Sequence, residues 1–200
     1  HNTNVYPQRP DRAYVGYIDA DMFILDISDM SRPKVITRWD NSPPYTGFTH
    51  TVMPLFDRGL LVVTDECIDR KSADWPKLVW ILDMRDESNL IPIATCQSPQ
   101  SEFFRSRGRF GAHNIHENVP LPTAWFSDQL IVGTFFNGRL RAYDISNPYA
   151  PVEIASFVPP APRGATSGTI QLNDVFIDER EIAYTVDREC GGLYILELDF

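Results

Sequence analysis

Four histidines are the residues of this 200-residue chain best suited to holding a metal ion or moving a proton. They stand at His1, His50, His113 and His116, in the stretches "HNTNV", "THTV" and "GAHNIHEN". Three times a histidine is followed shortly by a β-branched residue, a type that favours strands. No compact metal motif is present: "HNIHE" places two residues between its histidines, where the helical HExxH motif needs three. A site built from these residues must therefore join distant segments. Imidazole ligands point to a divalent transition metal (Fe, Cu, Zn or Mn). Glu66, Glu117 and Asp174 are the carboxylates that could complete such a site. Arg105, Arg107 and Arg109, in "FFRSRGRFGAHN" just before His113, are the residues that could lid it or bind an anionic substrate.

The elements that must position these side chains form a repeat. Four segments align: "MFILDISDMSRPKVITRW" (22–39), "LVWILDMRDESNLIPIATC" (78–96), "LRAYDISNPYAPVEIASFV" (140–158) and "LYILELDF" (193–200). Their acidic residues Asp26, Asp83, Asp144 and Glu197 are 57, 61 and 53 residues apart. Each repeat reads as a strand, an acidic residue, a short turn with Pro or Asn, and a second strand. Upstream lies a strand rich in Val, Ile, Tyr and Phe ("RAYVGYI", "LLVVTDE", "QLIVGTFF", "EIAYTVD"), and before it a shorter one ("NVYP", "HTVMPL", "HNIHE", "NDVFID"). Helical periodicity is absent. Units of three or four antiparallel strands at one period predict an all-β fold, a β-propeller with about four blades in this chain. The blades are expected over 1–48, 49–111, 112–168 and 169–200, as one domain. The last unit lacks a fourth strand, so the chain is expected to be part of a larger ring of about seven blades, completed by an N-terminal half or a separate chain.

Asp26, Asp83 and Asp144 sit at the same point of every repeat, which assigns them to Asx-type turns rather than to catalysis. In a propeller the innermost strand of each blade faces the channel, and alternate residues point to the axis. His1, His50 and His113 then occupy corresponding innermost positions, with Asn173 or Asp174 in the fourth unit. His116, three residues after His113, points away on a regular strand and joins the site only through a bulge or loop.

Bulk properties narrow the function. At 43% hydrophobic the chain is ordinary globular material, and a formal charge of −9 with no basic cluster argues against nucleic acid. The longest apolar runs, such as "LIVGTFF" (130–136), fall far short of the ~20 residues that cross a bilayer, so no membrane span is expected. Cys67, Cys96 and Cys190 show no paired spacing and read as buried free thiols, which favours a reducing, cytoplasmic setting.

In "RAYVGYIDADMFILDISDMSRPKVI", "THTVMPLFDRGLLVVTDE", "GRFGAHNIHEN", "RLRAYDISNPYAPVEIASFVPPAP" and "NDVFIDEREIAYTVDRECGGLYILE" the chain resembles the LVIVD-repeat family of bacterial β-propeller proteins. The order of the stretches is similar to the C-terminal portion of that family's longer members. More distantly it resembles the selenium-binding protein and methanethiol oxidase propellers, which implies a His-bound metal. The function expected is a metal-binding propeller with a His-lined axial site, a metal-dependent oxidoreductase acting on a small molecule; a hydrolase or lyase is the neighbouring reading. The alternative is a non-catalytic propeller scaffold for protein partners.

Overall fold

In the computed structural model, which describes residues 1–97 and 107–199, the apolar and β-branched runs become four antiparallel sheets in a propeller-like arrangement. The first holds β1 (Thr3–Tyr6), β2 (Arg9–Gly16), β3 (Met22–Asp26) and β4 (Lys34–Trp39), in that order. The second repeats the order with β5 (Thr49–Leu55), β6 (Leu60–Asp65), β7 (Val79–Asp83) and β8 (Ile91–Cys96). The third has β9 (Leu130–Thr134), β10 (Leu140–Asp144) and β11 (Val152–Phe157), and the fourth β12 (Leu172–Ile177), β13 (Ile182–Asp187) and β14 (Leu193–Glu197). No helix among the described residues is long and apolar enough to cross a membrane.

Burial explains the sequence pattern of each strand. All six residues of β6 are buried, because both faces of this strand pack on neighbouring sheets, and its sequence LLVVTD is correspondingly an almost unbroken apolar run. β11, an outer strand, alternates exposed and half-buried residues. Three apolar layers hold the sheets face to face. Tyr14 and Ile24 meet Val52, Leu61 and Trp80 between the first and second sheets. Met53, Val62 and Ile81 meet Ile115, Ile131 and Tyr143 between the second and third. Val132, Leu140 and Ala142 meet Leu172, Val175 and Ala183 between the third and fourth.

The repeated acidic residues organise turns, as their position implied. Asp26 Oδ1 accepts from the Ser28 amide (2.9 Å), Asp83 Oδ1 from the Arg85 amide (3.0 Å) and Asp144 Oδ1 from the Ser146 amide (2.7 Å). Just before each, the ladder to the outer strand slips register, at Ile24/Leu25, Ile81/Leu82 and Ala142/Tyr143. Such bulges add local twist.

Two expectations are corrected. "HNIHE" does not form a continuous strand: Thr134 O accepts from the His113 amide (3.0 Å) while the Thr134 amide donates to Asn114 O (2.8 Å), so two residues face one and only the Ile115–Gly133 bridge remains. Cys67 and Cys96 are buried free thiols, but Cys190 is exposed, because it lies in the turn between β13 and β14 rather than on a packed strand.

Candidate metal centre in the channel

Strand register places the histidines. Counting from the acidic turn residue, β3, β7, β10 and β14 align through the pairs Arg12–Asp26, Leu60–Asp83, Leu130–Asp144 and Ile182–Glu197. The next ladder inward aligns Thr3–Val15, Val52–Val63, Ile115–Gly133 and Val175–Thr185. Two residues before each inner partner stand His1, His50, His113 and Asn173. The fourth position is thus Asn173, and Asp174 is the register mate of Asn2, Thr51 and Asn114. His50 and Asn173 are the extra residues where the ladders slip between Thr49 and Thr51 and between Leu172 and Asp174. A bulge re-aims the side chain it carries.

Three of the four imidazoles meet. The His1 and His50 rings lie 3.8 Å apart between centroids, and those of His50 and His113 4.4 Å apart. Ligand atoms of His1, His50 and Glu66 lie within 4.8 Å of one another. His113 Nε2 is 3.5 Å from Glu66 Oε1. Gly16 permits this assembly: a Cβ there would stand 2.3 Å from His50 O, so only glycine lets β2 approach β5 this closely.

His50 is fully buried; its Nδ1 pairs with Thr51 Oγ1 (2.7 Å), and its Nε2 has no hydrogen-bond partner among the described residues. His113 Nδ1 contacts Asn173 O at 2.6 Å. A carbonyl only accepts, so Nδ1 carries the proton and Nε2 turns a lone pair toward the Glu66 carboxylate. Burial, with the neighbouring His113 and His1 rings adding, drives the His50 pKa down to about 2. Burial likewise takes His113 down to about 3, against the opposing pull of the Asn173 carbonyl. Both rings are therefore neutral at neutral pH. Burial also raises the Glu66 pKa and outweighs the Arg109 guanidinium 3.1 Å away.

His116 does not join this group. Its Nε2–H donates to Trp125 O (2.7 Å), and its Nδ1 accepts from the Ile177 amide (3.1 Å). Both ring nitrogens are spent on backbone, and no lone pair is left for a metal. Glu117 stands at the far rim, accepting from the side-chain amides of Asn2 and Asn4. Asp174 lines the same recess but is exposed, its Oδ1 accepting from the Val175 amide. Of the arginines, Arg109 pairs with Glu66, and Arg107 is exposed, with its carbonyl accepting from Asn137. Arg105 lies outside the described residues. A recess of about 620 Å³ opens beside the cluster, lined by His1, Glu66, His113, Asp174 and Arg188 among others.

Arg188 is absent from the sequence-level candidates. It follows β13 as Glu66 follows β6, and aligning "TVDRE" with "VVTDE" one residue out of step would have exposed it. Thr51, which pairs with His50, escaped notice because it has no spacing signature; Asn173, expected only as the fourth repeat position, orients His113 through its backbone carbonyl.

Residues 11–41 match the family model of the LVIVD repeat. The match covers β2 to β4 and the Asx turn at Asp26, so the LVIVD repeat coincides with the strand–turn–strand unit that recurs in the later sheets. No curated protein matches the chain. Among solved structures, the computationally designed Ika8 protein is similar at 11% identity and a TM-score of 0.44, over 98% of this chain and 57% of that one. The chain thus spans little more than half the length of that structure.

Proposed function

We propose that the channel cluster holds a divalent transition metal (Fe, Cu, Zn or Mn) between His1, His50 and Glu66, with the adjacent His113 as a further ligand. The observation that carries this reading is the fully buried His50 Nε2, which has no hydrogen-bond partner among the described residues and is set among other ligand atoms. A buried polar atom left unmatched costs roughly 1–3 kcal/mol, which a ligand bond would offset. The facing acceptors His113 Nε2 and Glu66 Oε1 ask for a cation in the same place. Three imidazoles and a carboxylate form a donor set suited to these metals. The ion, when bound, would supply Lewis acidity or a redox couple. The residues around it hold the His50 and His113 imidazoles unprotonated, fix the His113 tautomer through Asn173, and leave the recess open to a small molecule. We read the activity as oxidation or reduction of such a molecule.

The test is metal analysis of purified, untagged protein before and after reconstitution. One ion per chain is expected, and it is lost in a His50→Ala, His113→Ala double variant that stays folded. No bound metal after reconstitution, or unchanged content in the variant, would overturn the reading. A second reading, a scaffold for protein partners or for further blades, draws on β14, whose Leu193 and Ile195 are 56% and 62% exposed. It predicts that partner capture survives the double histidine variant.

A further inference from the structure

We infer that the recess takes a small molecule bearing a carboxylate, and that Arg188 is the group that receives it. This rests on the metal reading and adds the substrate's chemical class. Arg188 lines the recess together with His1, Glu66 and His113. Its guanidinium carbon lies 5.5 Å from the centre of the Phe136 ring, on which His113 is stacked at 4.6 Å. Phe136 therefore ties the guanidinium to the metal cluster. Among the described residues the Arg188 side chain makes no hydrogen bond or ion pair. The nearby carboxylates are committed: Glu66 to Arg109 at 3.1 Å, and Glu189 to the Ser167 amide at 3.1 Å.

A second guanidinium crowds the same ring, since Arg109 lies 5.4 Å from its centre. Two cations thus gather where, among the described residues, Glu66 offers the one carboxylate paired to either. This local excess stands out in a chain of net charge −9. A guanidinium left unpaired presents a planar two-pronged donor that matches a carboxylate. Glu66, Glu117 and Asp174 border the recess, so a singly charged carboxylate suits it better than a doubly charged phosphate.

The test uses cobalt(II)-loaded protein and two probes, 3-mercaptopropionate and its neutral amide, 3-mercaptopropionamide. Each is titrated by the thiolate–cobalt absorption band. The wild type is expected to prefer the acid at least about tenfold, the scale of a charge-assisted hydrogen bond. Arg188→Gln should abolish the preference and leave cobalt affinity unchanged, while Arg188→Lys should keep part of it. Equal binding of the two probes by the wild type, or a preference that survives in Arg188→Gln, overturns the inference. So does inorganic phosphate displacing the acid more effectively than acetate does. Failure of cobalt to bind overturns the metal reading and this inference together; cobalt uptake without an Arg188-dependent preference overturns this inference alone.

Discussion

His116 bridges two segments, and removing it should destabilise the fold without touching the metal cluster. The imidazole is 4% exposed and joins Trp125 O to the Ile177 amide, beside the direct Trp125 N–Ile177 O bond of 3.0 Å. In His116→Ala the carbonyl and the amide both lose their partner. Each unsatisfied buried group costs roughly 1–3 kcal/mol, so the expected loss is about 2–6 kcal/mol before lost packing on Trp125 and Phe176 is added. With a urea dependence of about 2 kcal/mol/M, the unfolding midpoint should fall by roughly 1–3 M. His116→Phe keeps most of the ring volume and still loses both bonds, so it should retain the larger share of the loss. The assay is urea unfolding followed by circular dichroism, with metal stoichiometry measured on the folded fraction. A midpoint shift equivalent to less than about 0.5 kcal/mol would refute the structural role. Metal loss per folded molecule comparable to that of His50→Ala would return His116 to the ligand set.

Two further perturbations test the surrounding framework. Burial pushes the Cys96 thiol from 9.0 up to about 12. The unfolded chain then releases this proton first, so the stability it confers is fully present below pH 9 and is lost as pH rises toward 12, at about 1.4 kcal/mol per pH unit. Comparing urea midpoints at mildly and strongly alkaline pH, Cys96→Ala should flatten that decline by this amount; an unchanged slope would contradict the burial argument. Gly16→Ala places a methyl group 2.3 Å from His50 O, which should cost about 1–3 kcal/mol and lower Tm by roughly 2–4 °C per kcal/mol. Calorimetry reads the stability and a cobalt titration the accompanying loss of metal affinity; a silent variant would mean that β2 and β5 do not meet as described.

Much of the architecture was legible from sequence because its signals are local and periodic. The strand runs, the spacing of Asp26, Asp83 and Asp144, and their short-range bonds to the second amide onward all depend on neighbours within a few residues. The equivalence of His1, His50 and His113 came from the same repeat. What each histidine does with its lone pairs was decided by tertiary structure. His116 and His50 are the same residue type on similar segments, yet Trp125 and Ile177 occupy both nitrogens of one, while Nε2 of the other has no hydrogen-bond partner among the described residues. The choice of Asn173 over Asp174 required the ladder slip at β12, which a one-residue ambiguity in the repeat conceals. Glu66 acquired a place beside His113, and Arg188 a place in the recess, only when separate sheets were stacked. Periodicity along the chain specifies which strands form and which residues share a depth. The contacts that leave one imidazole free and saturate another run between segments far apart in sequence, and packing alone brings them together.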